Sequence, residues 1–451
     1  MKRLALIGLD CADPRLLREL LPELPTLREL VESGSFTRLR SVDPPITVPA
    51  WMCMMTGKDP GQLGVYGFRN RLDHSYEGLQ IVNSTAFSDA QPIWDTLSLH
   101  GRRSILLGIP GTYPPRPVAG QMVTGPLTPG PGAAFTYPPT LKENIQRWVG
   151  DFVFDVSAIE TEDESNLIDK IHGMTAQRFE VARRLVSSDE WDLFAMVEMG
   201  PDRMHHAFWS HHDPLHPNHD PMSPYRDAIR AYYRFLDAEI SSLLEVLPDN
   251  THICIASDHG VQRLKGGIAI NEWLIREGHL ALKEYPAEPT RIEDLAERGL
   301  VEWDKTTAWG AGGYYGRIFF NVAGREPRGV VPPARYSVLQ EEIAAGIEAI
   351  QDENGASLRT RVLRPSTAYR AVRGIAPDLL AYFGDLSWRS IGTVGWNRVH
   401  LRGENAGPGT ANHAPYGIYI SVPADAATGD RSILEIRDII LGHLEIERDH
   451  D

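Results

Sequence analysis

The sequence predicts an α/β fold, with a mostly parallel central sheet flanked by helices and interrupted by an inserted α+β cap. Three observations carry that reading. Apolar runs of strand length end in an acidic residue and pass into helix-like segments, as in LALIGLD (4–10), WDLFAMVEMGPD (191–202) and HICIASDH (252–259). This is the pattern of a sheet whose working side chains sit at the carboxyl ends of its strands. The stretch 262–404 has a different texture, with Gly and Pro breaks between short elements, and a buried-strand pattern resumes at YGIYISV (416–422). Both ends of the chain are therefore expected to build one core, residues 1–261 with 405–451, while 262–404 forms the cap that selects substrate. At 451 residues the chain exceeds the size at which a single core usually keeps growing.

In chain order, the first apolar run reads as a buried strand. Helical patterns follow over 14–32, 92–101, 166–188 and 223–247, the last with apolar residues at three- and four-residue spacing and Ser223 and Pro224 suited to its cap and first turn. Within the cap, a helix is expected near 336–353 and strands at GRIFFNV (316–322) and DLLAYF (378–383). SILEIRDIILGHLEIE (432–447) reads as a closing amphipathic helix. No internal repeat or low-complexity segment interrupts this order.

Composition narrows the function. Hydrophobic content of 42% and charged content of 23% suit a globular protein folded nearly end to end. A formal net charge of -15 argues against a nucleic-acid polymer as partner, because such binding draws on summed Lys and Arg charge. An anionic small molecule then needs local positive charge from metal or arginine. The opening MKRLALIGLD is too short to span a bilayer and lacks a cleavage-site pattern, so no membrane association is expected. Cys11, Cys53 and Cys254 are odd in number and lie in apolar stretches, as small core residues of a cytoplasmic protein would. Oligomeric state is left open.

Six side chains carry the chemistry. Asp10 ends the first apolar run, where alone it serves equally as a turn cap. Asp202 and His206 in PDRMHH stand four apart, so on a helix they share a face and can bind one metal, while His205 points elsewhere. Asp258 and His259 in SDHG directly follow a buried strand, and His413 precedes the last core strand. Three carboxylates and three imidazoles at strand ends of one sheet suit two borderline cations, zinc first and manganese as the alternative. Paired cations serve in-line displacement at phosphorus, which requires a hydroxyl nucleophile. Thr47, in DPPITVPAW, is the candidate.

The ordered set GLD, ITVPAW with TGKDPGQLGVYGF, PDRMHH, SDHG and NHAPYG resembles the alkaline phosphatase superfamily, most closely its type I phosphodiesterase/nucleotide pyrophosphatase branch, over nearly the whole chain. The resemblance implies an alkaline-phosphatase-like core. It also implies Thr47 as nucleophile and metal-facing oxygen, Asp10, Asp258 and His259 around one zinc, and Asp202, His206 and His413 around the other. The expected reaction is hydrolysis of a phosphodiester or phosphoanhydride of a small, possibly nucleotide-like, molecule through a covalent phospho-threonine. A phosphomonoesterase or phosphonate hydrolase is the runner-up. A phosphomutase and a non-catalytic sensor of a phosphorylated metabolite are the more distant rivals.

One departure concerns substrate. Well-known nucleotide pyrophosphatases place an asparagine about twenty residues beyond the nucleophile, and Phe68 stands there, with Arg69, Asn70 or Arg71 as substitutes. No modifiable Cys or Ser of the sulfatase type occupies ITVPAW. In the cap, Trp309, Tyr314 and Tyr315 are candidates to stack on a planar group or to fill the cap's core. His211, His212, His216 and His219 read as a solvated loop in preference to a third metal site.

Overall fold

The computed structural model describes residues 2–157, 163–425 and 429–446. Among the described residues nine strands form the central sheet. They are β1 (Arg3–Leu9), β2 (Ser35–Arg40), β3 (Ser104–Ile109), β4 (Gly120–Thr124), β5 (Thr136–Tyr137), β6 (Leu193–Glu198), β7 (Thr251–Ala256), β8 (Tyr416–Val422) and β9 (Arg431–Ser432). Their spatial order is β9-β2-β8-β7-β1-β6-β3-β4-β5. The central strands β7, β1, β6, β3 and β4 are mutually parallel, while β8 runs antiparallel to both β7 and β2. The mixed sheet is mostly parallel, as expected. Leu4 to Leu9 are buried along β1, which explains why its sequence is a continuous apolar run without alternation.

Register decides where the chemistry falls. Leu9 pairs with Glu198 and Gly8 with Ala256, so β1, β6 and β7 end side by side and their following residues open at one edge. The helices that matter there are α1 (Thr47–Thr56), α2 (Glu164–Ser188), α3 (Gly200–His212) and α4 (Ala228–Leu244). The expected helix over 14–32 is instead two, Pro14–Leu20 and Pro25–Ser33, joined by a 3-10 turn at Leu21–Glu23. Pro22 and Pro25 lack the N–H a continuous helix would use. Helix α4 begins at Ala228, five residues later than expected, because the Ser223 hydroxyl accepts from Tyr225 N and bonds His211, fixing the preceding loop. The closing segment starts as a Ser432-capped 3-10 turn before α6 (Ile436–His443), α5 being the cap helix Tyr336–Glu348; Glu447 lies outside the described residues.

Two hydrophobic clusters organise the interior. One joins Leu6, Ile255, Ile420 and Ile440, from both ends of the chain, and the other joins Ile268, Phe319, Ile343 and Leu379. The second surrounds a four-stranded antiparallel sheet in the order Ala308–Ala311, Gly316–Phe320, Leu379–Tyr382, Arg361–Leu363. A smaller cluster, including Ile46, Tyr66, Tyr315 and Tyr382, lies between them. Residues near 69–81 pack on the second cluster although they belong to the first half of the sequence. There Tyr76 stacks on Trp303 at 3.7 Å, and Arg71 pairs with the fully buried Glu326 at 3.2 Å.

At the end of β6, Glu198 accepts hydrogen bonds from Thr175 Oγ1 and Gly200 N and lies 3.6 Å from the Arg178 guanidinium, both residues being fully buried. Arg178 also donates to the carbonyls of Val197 and Phe154, tying α2 to the sheet edge. Glu198→Ala strands that guanidinium, and chemical denaturation is expected to register a loss of about 3–5 kcal/mol. Joint replacement by Arg178→Met and Glu198→Leu is expected to recover most of it.

Candidate active site

Asp10 leaves the end of β1, and Cys11 follows in the left-handed region at φ 65°. That turn aims the Cys11 N–H at Asp258 Oδ1, 3.2 Å away. The thiol itself is buried and its pKa is pushed up by burial and then by Asp202, so it is no nucleophile. Trp51, on α1, donates its indole N–H to Asp10 Oδ2 at 2.7 Å. Gly8 makes room for that ring, since a Cβ there would lie 2.5 Å from Trp51 Cη2. The other oxygens, Asp10 Oδ1 and Asp258 Oδ2, stand 3.7 and 3.2 Å from His259 Nε2.

A second triad is adjacent. Asp202 and His206 share one face of α3, and His413 arrives on the short strand Ala411–Ala414, which pairs with Gly260–Arg263. His206 Nε2 is 3.2 Å from both Asp202 Oδ1 and His413 Nε2, and His413 Nε2 is 3.7 Å from Asp202 Oδ1. Asp202 Oδ2 is held by Arg203 at 2.5 Å, and Arg203 is braced in turn by Asp155. The rings of His259 and His413 stack with centroids 3.7 Å apart, so the triads stand side by side.

Proton positions follow from the partners. His206, His413 and His259 each place Nδ1 against a backbone carbonyl, of Ala411, Pro45 and Gly260 respectively. A carbonyl only accepts, so each Nδ1 carries a hydrogen and Nε2 is the nitrogen left to face the carboxylates. Burial holds His259 down to about 4, and burial with His259 and His206 holds His413 well below the usual range. His206 Nε2 and His413 Nε2 face each other 3.2 Å apart.

These donors fit metal ions. Asp10 Oδ1, Asp202 Oδ1, Asp258 Oδ2 and His259 Nε2 are buried without a hydrogen-bond partner, and they are the atoms turned toward the two triads. Side lengths of 3.2 to 3.7 Å bracket the edge of about 3.3–3.4 Å expected for tetrahedral ligands at about 2.0–2.1 Å from zinc. Burial and the neighbouring carboxylates, Asp202 for Asp10 and Asp10 for Asp258, push those two carboxyls well up. Asp202 is held low: burial opposes its ionisation, but His206 and Arg203 outweigh it.

Thr47 is the first residue of α1 and is buried. Two residues before it the Pro45 carbonyl holds His413, and one turn after it Trp51 holds Asp10, so the start of α1 is tied to both triads.

A cleft of about 740 Å³ opens beside His206, lined by Phe68, Arg69, Tyr314 and Tyr315 among the expected residues. Tyr314 stacks on His413 at 4.2 Å, and the Tyr315 hydroxyl donates to the Tyr66 carbonyl. The remaining expected contacts lie elsewhere. Asn70 closes its own turn through Tyr66 N and Gly64 O, Arg71 pairs with Glu326, and Trp309 packs against Tyr76 and Trp303 in the cap. Proximity in sequence to Phe68 pointed to the first two, but the chain turns away from the cleft after Arg69. The cleft also holds Arg203, Arg317 and Arg389, which sequence reading missed. Arg203 directly follows Asp202, a usable signal; Arg317 lies on the expected strand GRIFFNV and Arg389 on another strand, and nothing in either segment points to the cleft.

A larger groove of about 1480 Å³ runs past Trp209 and Arg263. Three of its arginines are matched by carboxylates, Arg263 by Asp213, Arg230 by Glu19 and Arg402 by Glu353. His211 and His219 line it while bonded to protein partners, as is the neighbouring His216, and none joins a metal-binding group among the described residues.

The architecture is that of known phosphorus-directed hydrolases. Human ectonucleotide pyrophosphatase/phosphodiesterase 5 superposes with a TM-score of 0.54 at 15% identity, over 100% of this chain and 97% of that one. Phosphonoacetate hydrolase from Sinorhizobium meliloti 1021, in complex with phosphonoacetate, superposes with a TM-score of 0.64 at 13% identity, over 98% and 96%. No curated protein sequence matches. The type I phosphodiesterase/nucleotide pyrophosphatase family profile matches residues 4–409, and the chain belongs to that family, as a hydrolase of phosphoester bonds within the alkaline phosphatase superfamily. Among the described residues no helix is long and apolar enough to cross a membrane.

Two outcomes are expected. Trp51→Phe removes the hydrogen bond to Asp10 and should weaken metal at the Asp10–Asp258–His259 triad about 10–100-fold, read by competition with a chromogenic chelator. Asp10 and Asp258 hold protons to higher pH than ordinary carboxyls, and a metal must displace them. Metal loading should therefore release protons, and apparent affinity should fall as pH is lowered; calorimetry in two buffers of different ionisation enthalpy measures both.

Proposed function

We propose that this protein cleaves a phosphodiester or phosphoanhydride of a small molecule, with Thr47 as nucleophile and two zinc ions, or manganese in their place, held by the two triads. The observation that carries the reading is the convergence of three imidazole Nε2 atoms and three unpartnered carboxylate oxygens beside the start of the helix that opens with Thr47. When bound, such a pair of cations lowers the pKa of a hydroxyl and stabilises charge at a displaced phosphoryl group.

The protein's own groups account for the rest. Asp10, Asp258 and His259 hold one ion; Asp202, His206 and His413 hold the other. Carbonyls of Ala411, Pro45 and Gly260 fix the imidazoles as neutral Nε2 donors, and Arg203 and Trp51 fix the orientation of Asp202 and Asp10. Thr47 Oγ1 gives up its proton to solvent and attacks phosphorus as the bond to the leaving oxygen breaks, giving a phospho-threonine, and the leaving oxygen takes a proton from solvent. Water then attacks the same phosphorus, the bond to Thr47 breaks, and the hydroxyl is restored. The free backbone N–H groups at the start of α1 favour the phosphoryl oxygens. Phe68, Arg69, Tyr314 and Tyr315 face the substrate in this reading.

A phosphonate hydrolase is the second reading, supported by the higher TM-score to phosphonoacetate hydrolase and by arginine in the cleft. The three cysteines are free and buried, which supports a reducing cytoplasm. Metal-loaded protein assayed on nitrophenyl esters, a phosphodiester, a phosphomonoester and a phosphonate monoester, separates the readings. The diester is expected to turn over fastest, and Thr47→Ala to lower that rate on the order of 10³-fold or more while two metals stay bound. A faster phosphonate ester selects the second reading. Rearranged sugar phosphate without free phosphate would mark a mutase, and inertness with both metals bound a sensor.

A further inference from the structure

The cleft beside the triads carries cations that the reaction at phosphorus does not use. Arg389 is 7% exposed, and Arg317 is half-buried across the same cleft. Among the described residues neither forms an ion pair with a carboxylate. Arg389 donates to the Pro408 carbonyl and lies over the Tyr314 ring, and its Nε is buried without a partner. Arg317 donates to the carbonyls of Arg69 and Gly312, and its Nε is likewise buried and unpartnered. Burial lowers the pKa of both. Only Tyr314 opposes that at Arg389, while at Arg317 Tyr315 and Glu293 oppose it and Arg69 adds to it.

A guanidinium held out of water without a counterion is costly, and buried polar atoms left unpaired call for a partner. Among the described residues the only carboxylate lining the cleft is Asp155, and Arg203 occupies both of its oxygens. Arg69, Arg317 and Arg389 are therefore left with positive charge facing one space, in a chain whose formal charge is -15. Tyr314 separates Arg389 from His413, so this charge stands one aromatic ring away from the metal triad. Planar guanidinium donors match carboxylate and phosphate oxygens.

We infer that the substrate carries a second anionic group, a carboxylate or a phosphate, beyond the phosphorus that is attacked, and that Arg389 and Arg317 receive it. The inference rests on the proposed phosphodiesterase reading and narrows its substrate class.

Three nitrophenyl phosphodiesters with one leaving group test it, their second arm being ethyl, carboxyethyl or phosphoethyl. One or both charged esters should exceed the ethyl ester in kcat/KM by about tenfold or more, and the better arm distinguishes carboxylate from phosphate. The ratio should collapse toward one in Arg389→Gln and in Arg317→Gln, and return in part in Arg389→Lys. Equal kcat/KM for all three in the unaltered protein overturns the inference while leaving the diesterase reading intact. Calorimetric binding of the same esters to metal-loaded Thr47→Ala reads the preference without turnover. If no ester is cleaved, the reaction assignment fails, and affinities then decide the inference alone: tighter binding of a charged ester upholds it, equal binding overturns it.

Discussion

Asp10, Asp202 and Asp258 are buried together at one sheet edge, and the energetic problem this creates shapes everything around them. Asp202 has Arg203, but neither Asp10 nor Asp258 forms an ion pair with a lysine or arginine among the described residues. Their carboxyls accordingly resist ionisation. Divalent charge is the natural remedy, and the backbone is arranged to accept it. Three carbonyls turn three imidazoles so that each offers Nε2 to the same small volume. The sheet register supplies the rest, because β1, β6 and β7 end in step and deliver their aspartates within a few ångströms of one another.

The second feature is the coupling of α1 to both triads. A helix whose first turn is held by Pro45 on one side and whose second is held by Trp51 on the other has little freedom to rotate or slide. Its start is thereby fixed in relation to the triads. Gly8 is part of this arrangement, since Trp51 reaches Asp10 by lying across the space a Cβ would fill.

Much of this was legible in the sequence, for physical reasons that also mark the boundary of what was not. Asp10 and Asp258 follow uninterrupted apolar runs, and a fully buried parallel strand has no other way to be written, so their position at a strand end could be inferred. Asp202 and His206 were readable because helix periodicity makes a four-residue spacing a contact. His413 was a weak signal, since it lies on a short ribbon whose partner, Gly260–Arg263, is defined only by folding. Arg317 and Arg389 were invisible: they belong to cap strands, and only tertiary packing brings them to the cleft. Arg71 and Trp309 were singled out by neighbourhood and residue type, and both are consumed by packing within the cap. The late start of α4 reflects a hydroxyl-to-histidine bond between distant residues, which local propensity does not encode.

The pairing of Arg71 with Glu326 has a consequence for how the cleft works. A segment from the first half of the chain is fastened to the cap by a buried ion pair and by Tyr76 lying flat on Trp303. Separating the two would strand the Arg71 guanidinium, Glu326 keeping Arg325 as its partner, and would unstack the rings. Any widening of the cleft at this seam therefore carries the cost of an unpaired buried guanidinium and of lost ring contact.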